Sequence, residues 1–140
     1  MITGKFPNLR LRRNRKETWS RRVIQENTLS PNDFILPIFL IEGSNKKESI
    51  SSMPGVFRYS INRLSQIIDK AIRLGIPMVA LFPKTKNSLK NELGSEALNE
   101  NNLVCRAIKE IKKKYKNKIG IMCDVALDPY TSHGHDGLIK

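Results

Sequence analysis

A chain of 140 residues that sets 25 Lys and Arg against 13 Asp and Glu carries a formal charge of +12 and a pI near 10.0. Its two cysteines exclude a disulfide scaffold, no apolar stretch reaches the length of a membrane span, and the N-terminus lacks the apolar core of a secretory signal. Such a charge first suggests nucleic acid, because clustered cations release counterions from phosphate backbones. The basic patches argue otherwise. Few aromatics interleave with them, and Lys112, Lys113, Lys114 and Lys116 stand where cations complement a helix C-terminus. Neither nucleic acid nor a membrane is expected as partner, and a reduced, cytoplasmic compartment is the natural setting.

Residues 1–31 read as a polar, basic arm, with a short helix around 17–26 in which Trp19, Val23 and Ile24 form an apolar edge. Residues 34–41 are an apolar run interrupted by Pro37, which suits an edge or first strand better than a central one. Gly43, Ser44 and Asn45 open a loop, and Met53-Pro54-Gly55 turns it. From Ser60, a candidate N-cap, Ile61, Leu64, Ile67, Ile68, Ala71 and Ile72 recur at helical spacing until Gly75 ends the pattern. Residues 78–82 read as a buried strand and 84–102, rich in Asn, Lys and Glu, as a long linker. Leu103, Val104, Ala107, Ile108 and Ile111 mark a second one-sided helix, which leads into a short, fully buried strand over 118–123. Cys105 and Cys123 each follow an apolar residue in these segments and read as buried, reduced thiols.

Strand, helix, strand, helix, strand is the order of an α/β fold with a parallel sheet. In such folds the working groups gather beyond the C-terminal ends of the strands. There the sequence is densest in chemistry: Asp124, Asp128, His133, His135 and Asp136 follow the last strand within thirteen positions. The same residue types build ordinary surface loops. His133 and His135, two apart, match neither a helical histidine pair nor a zinc-finger spacing.

The order of residues is more specific than their types. Asp124-Val-Ala-Leu-Asp-Pro-Tyr-Thr-Ser-His-Gly-His-Asp-Gly137 resembles the metal-loop signature of the porphobilinogen synthase, or delta-aminolevulinic acid dehydratase, family. Arg10-Leu-Arg-Arg-Asn-Arg15, the stretch from Leu29 to Phe39, Met53-Pro-Gly-Val-Phe-Arg58 and Leu81-Phe-Pro83 are similar to further family segments in family order. The resemblance implies the N-terminal part of a (β/α)₈ barrel, preceded by an arm (1–31) that grips neighbouring subunits in a homo-octamer, with residues 32–140 supplying the first strands and helices. It implies a hydro-lyase that condenses two molecules of 5-aminolevulinate into porphobilinogen in tetrapyrrole synthesis. A complete barrel takes about 250 residues, and the family's two Schiff-base lysines belong to later strands. Lys140 matches neither. The chain is therefore expected to be a truncated N-terminal half, inactive alone, loosely folded and prone to aggregate through its open sheet edge.

The resemblance also speaks to cofactors. Zinc-dependent members carry three cysteines where this sequence has Ala126, Asp128 and Asp136. Thiolates select zinc and carboxylates favour hard cations, so zinc is not expected and the magnesium-responsive branch is. In that branch the stimulating magnesium lies mainly in the later half of the protein. Asp128 and Asp136 then either hold an ion or orient an amine or a water. Asp124 is expected to hydrogen-bond a substrate amine or a catalytic lysine, and Asp128 and Asp136 to stabilise substrate ammonium or position a water for proton transfer. Ser132, His133 and His135 are further candidates. Two other readings are a metal-dependent hydrolase using Asp124, Asp128, His133 and His135, and a non-catalytic piece that only binds other subunits.

Overall fold

The computed structural model describes residues 4–138, and the chain divides into two compact units at the boundary between Ser30 and Pro31. Residues 1–3 of the expected arm, and Lys140, lie outside the described residues.

The first unit carries two short helices, α1 (Arg13–Lys16) and α2 (Thr18–Val23), neither with a side-chain cap. The Arg21 guanidinium fastens them, donating to the carbonyls of Arg15 at 2.8 Å and Lys16 at 2.9 Å and to Thr18 Oγ1 at 3.0 Å. The expected helix over 17–26 is thus shorter. Trp19, Val23 and Ile24, the expected apolar edge, are exposed among the described residues.

The second unit is built on a five-stranded sheet of β1 (Ile35–Ile41), β2 (Lys47–Ser49), β3 (Phe57–Tyr59), β4 (Met78–Lys84) and β5 (Gly120–Cys123), with α3 (Leu64–Arg73) and α4 (Leu103–Tyr115) between strands. The spatial order is β2-β3-β1-β4-β5, antiparallel between β2 and β3 and parallel elsewhere. Two expectations are corrected. The loop after β1 contains a strand pair: Lys47-Glu48-Ser49 has no apolar alternation to betray it, yet it pairs with Phe57–Tyr59. And β1 is the first strand, as one of the two readings had it, but despite Pro37 it is central rather than at an edge, with β3 on one side and β4 on the other. Proline is tolerated because β3 opposes only Phe39 and Leu40, so at Pro37 the strand has a partner on one side alone.

Side chains alternate across a strand, and the register puts Leu36, Ile38 and Leu40 beside Val79, Leu81 and Pro83 on one face. Both helices lie there. Ile38, Leu40, Val79 and Leu81 are buried against Leu64, Ile68 and Ala71 of α3 and Leu103, Val104, Ala107, Ile111 and Tyr115 of α4. Each large apolar side chain so buried contributes about 1.5–3 kcal/mol. Local signals fix the helix ends. Asn102 caps α4, its side-chain oxygen accepting the Cys105 N–H at 2.9 Å. At the end of α3, Gly75 takes φ +76°, Ile76 N–H returns to the Ala71 carbonyl and Gly75 N–H to that of Ile72, both at 3.0 Å. That is the left-handed glycine closure the sequence suggests. Ser60 behaves otherwise than expected: a 3-10 turn (Ile61–Arg63) precedes α3, and the Ser60 hydroxyl caps nothing. It accepts the Lys46 N–H at 2.9 Å and meets Asn62 Oδ1 at 2.8 Å, tying the β1–β2 connection to the start of the helix.

No helix covers the sheet's other face among the described residues, although Ile41 and Ala80 on it are buried. Ile35, Phe82 and Met122 are 44%, 37% and 41% exposed there. The strand β5 is accordingly half-buried rather than fully buried, since it has one neighbouring strand and one covered face. No helix among the described residues is long and apolar enough to cross a membrane.

Candidate active site at the C-terminal ends of the strands

Register and alternation assemble one edge of this site. Glu48 stands directly opposite Arg58 between β2 and β3, Arg58 opposite Phe39 between β3 and β1, and Phe39 opposite Phe82 between β1 and β4. Lys84 is two positions beyond Phe82 and shares its face. The Phe39 and Phe82 rings lie 5.7 Å apart between centroids. Above them opens a cleft of about 420 Å³, bordered by these rings, the cations Arg58, Lys84 and Lys90, and Asp128 with Pro129.

The acidic loop reaches the cleft because it is fastened at several points. Thr131 is buried, and its hydroxyl donates to the His135 carbonyl at 2.9 Å. The backbone of Asn91 pairs with this stretch, donating to the Tyr130 carbonyl at 3.3 Å and accepting the Ser132 N–H at 3.0 Å. The segment between β4 and α4 thereby becomes the loop's seat. The Asp136 carboxylate turns inward: its Oδ1 accepts the backbone N–H of Leu127 at 2.7 Å and of Asp128 at 3.0 Å. Those two amides, with some help from His135, hold its pKa below the ordinary carboxylate value.

The expected site residues are therefore separated by role. Asp128 borders the cleft. Asp136 organises the backbone that presents Asp128. Asp124 is exposed immediately after β5, and Ser132 is exposed beside Asn91; neither lines the cleft among the described residues. His133 Nε2 lies 3.1 Å from the Glu92 carbonyl, and its Nδ1 accepts the His135 N–H at 3.3 Å. Through its two ring nitrogens His133 clasps the two loops together.

Arg58 and Lys84 border the cleft and Glu48 pairs with both; Arg58 ends the segment Met53-Pro-Gly-Val-Phe-Arg58, whereas Lys84 and Glu48 carried no motif of their own. Lys84 reaches the cleft because β4 runs two residues further than the apolar stretch 78–82. Cys105 and Cys123 are free thiols, half-buried rather than buried. Burial, and secondarily the neighbouring Cys105, push the Cys123 thiol up, which makes it a poor nucleophile.

The donor set does not suit a thiolate zinc centre, since Ala126, Asp128 and Asp136 offer no sulfur. Among the described residues no three His, Cys, Asp or Glu side chains come together around a common point, and Asp136 Oδ1 is already engaged by two amides.

A parallel βα sheet whose acidic loop closes over a cleft at the strands' C-terminal ends is part of a (β/α)₈-barrel enzyme. The family model for delta-aminolevulinic acid dehydratase matches residues 8–140, and the chain belongs to that family of hydro-lyases, whose members are in general metal-dependent. Its similarity to the delta-aminolevulinic acid dehydratase of Bradyrhizobium diazoefficiens is 56% identity over 131 residues, covering 94% of this chain and 37% of the relative. The enzyme of the same name from Chlamydia pneumoniae is 44% identical over 129 residues, covering 92% of this chain and 39% of the relative. Among solved structures, delta-aminolevulinic acid dehydratase (porphobilinogen synthase) from Toxoplasma gondii ME49, in complex with the reaction product porphobilinogen, superposes with a TM-score of 0.82 at 38% identity. That match covers 94% of this chain and 37% of the other. The chain thus spans well under half the length of the relatives it matches.

Proposed function

We propose that this chain is the N-terminal portion of a porphobilinogen synthase, which joins two molecules of 5-aminolevulinate with loss of water. The observation that carries the reading is the seating of the loop 124–137: Asp136 folds it so that Asp128 borders a cleft at the C-terminal ends of β1 and β4. Asp128 offers a carboxylate to a substrate ammonium in that cleft. Asp124, at the mouth of β5, hydrogen-bonds a substrate amine or a catalytic lysine. Asp136 holds the loop that carries them, and Ser132 supplies a hydroxyl at its margin. The two imine-forming lysines come from segments this chain does not contain, and each makes the carbons beside a bound ketone acidic. A magnesium ion supplies charge stabilisation to the assembled enzyme rather than zinc, with most of its ligands outside this chain. Asp128 has a carboxylate open to it, whereas Asp136 has spent one oxygen on the backbone.

The arm, whose exposed Trp19 and Val23 accompany a run of arginines, contacts a second subunit and supports a homo-octamer. Two free thiols and no membrane-crossing helix among the described residues support a cytoplasmic setting. No observation favours a hydrolase: it needs His133 and His135 on a common ion with Asp124 and Asp128, and His133 is engaged with Glu92.

The test is to purify the polypeptide that carries this chain from its source cells, measure its intact mass and supply 5-aminolevulinate. Porphobilinogen formation, lost on Asp124→Asn with oligomer size unchanged, is the expected result. A species with the mass of 140 residues that makes no porphobilinogen would leave subunit binding as its role and overturn the catalytic reading.

A further inference from the structure

Between β4 and α4 one asparagine spends every polar group it has. The Asn91 side chain folds its own turn: Oδ1 accepts the backbone N–H of Leu93 and of Ser95, both at 3.1 Å, and Nδ2 donates to Ser95 Oγ. A side chain that stands in for backbone in this way closes a turn without a second strand. The main chain of the same residue holds the acidic loop, donating to the Tyr130 carbonyl at 3.3 Å and accepting the Ser132 N–H at 3.0 Å, while its carbonyl also takes the Gly94 N–H at 3.3 Å. Two further contacts depend on the turn keeping its shape. The Glu92 carbonyl lies 3.1 Å from His133 Nε2. Gly94 is buried at φ +61°, and a Cβ there would stand 3.3 Å from Thr131 Cγ2 and 3.5 Å from Leu127 Cδ2. The turn thus approaches the loop about as closely as a residue without a side chain permits. Lys90, immediately before Asn91, borders the cleft together with Asp128, which the loop carries; Asn91 does not border it.

We infer that Asn91 is a positioning residue for the reaction in this cleft: by folding the turn 91–95 it seats the loop 124–137 and fixes Asp128 relative to Lys90. It acts through the backbone of 130–132, whereas Asp136 acts within the loop through the amides of Leu127 and Asp128. Asp136 sets the local direction of Asp128, and Asn91 sets the place of the whole loop. Alanine at 91 would keep the N–H and the carbonyl but leave the Leu93 and Ser95 amides without their acceptor, so the turn relaxes and both backbone bonds to the loop move with it. The part Asp128 plays toward a substrate ammonium rests on the function proposed above; the seating rests on the geometry alone.

The experiment uses the full-length polypeptide that carries this chain, as the parent and as Asn91→Ala, Asn91→Asp and Gly94→Ala. Amide exchange is read by mass spectrometry of peptides, and kcat and KM are measured for porphobilinogen formation from 5-aminolevulinate. In Asn91→Ala, exchange over 124–137 is expected to rise several-fold while α3 is unchanged, and KM to rise several-fold because a displaced loop presents Asp128 wrongly. A variant that only folded less well would lose kcat through its smaller active fraction and keep the parent KM. Asn91→Asp keeps the accepting oxygen, and the Ser95 hydroxyl can turn to donate, so it is expected to recover most of both. Gly94→Ala, which presses on Thr131 and Leu127 from the turn, is expected to reproduce the faster exchange. Parent-level exchange over 124–137 in Asn91→Ala, an unchanged KM, or Asn91→Asp as impaired as Asn91→Ala would overturn the assignment. The family reading fails separately, through a parent that makes no porphobilinogen, and exchange over 124–137 still decides the seating in that case.

Discussion

Asp136 accepts the backbone N–H of Leu127 in its Oδ1 at 2.7 Å, across nine positions of chain, and the neighbouring Asp128 N–H at 3.0 Å. A carboxylate is well matched to that task because it accepts from two amides at once and strengthens both bonds with its charge. Asp136 is thus an internal fastener of the loop. The carboxylate that borders the cleft is Asp128, and its direction is set by Asp136.

Replacing Asp136 with Asn keeps one acceptor oxygen and removes the charge. Backbone amide exchange at Leu127 and Asp128 is expected to rise several-fold while the melting temperature of the sheet stays nearly unchanged, because the side chain is exposed and the loop lies outside the core. Hydrogen exchange followed by mass spectrometry on peptides spanning 124–137 reads this directly. Unchanged exchange in the variant would mean that Thr131 and Asn91 alone shape the loop.

The same two bonds give the loop a pH dependence of fixed sign. Asp136 has a folded pKa below its unfolded value, taken as 3.8. Its contribution to loop order is therefore fully present above that value and is lost as pH falls through the lower folded one. Amide protection at Leu127 is expected to be flat from neutral pH down to the ordinary carboxylate range and to fall only in stronger acid. Glu48 is depressed in the same direction by Lys84 and Arg58, so its tie between β2 and β4 loosens in the same acidic window. Loss of protection already close to neutral pH would point away from Asp136.

The central architecture was legible because its causes are local. Helical spacing from Ile61 to Ile72, the glycine at 75 and the apolar run 78–82 each dictate their element without help from distant residues. What was not legible depends on pairing. Lys47-Glu48-Ser49 becomes a strand only because Phe57–Tyr59 lies beside it, and Pro37 sits in a central strand only because β3 stops short of it. In the site, the order of residues in 124–137 marked the loop as special. The division of labour within it could not be read from the chain: whether Asp136 faces a ligand or its own backbone is decided by a turn closing over nine residues.

Ile68 is fully buried between α3 and the strands, among the best packed side chains of the core. Truncation to Ala removes about three buried carbons and leaves a cavity, at a cost of about 2–5 kcal/mol. A unit this small has about 5–15 kcal/mol at most to lose. Leu98, 87% exposed, is the matched control, and its Ala variant is expected to stay within about 0.5 kcal/mol of the parent. Urea denaturation followed by circular dichroism compares the two. Similar midpoints for both variants would mean that α3 is not docked on the sheet.

The face of the sheet that no helix covers supplies the last expectation. Ile35, Phe82 and Met122 project from β1, β4 and β5 on the side opposite the helices, each more than a third exposed. Apolar surface of that kind is normally covered by protein, and in a (β/α)₈ barrel this face is the packed interior. The 140-residue chain alone is accordingly expected to bind an apolar dye such as anilinonaphthalene sulfonate and to self-associate in sedimentation. Met122→Lys should weaken both without destabilising the helix-covered core, because Met122 pairs with Ala80 on the side opposite the helices and is not a member of the buried cluster. A monomer that melts sharply, binds no dye and is indifferent to Met122→Lys would show that this face is satisfied within the chain, and that the sheet is a finished structure rather than one wall of a larger barrel.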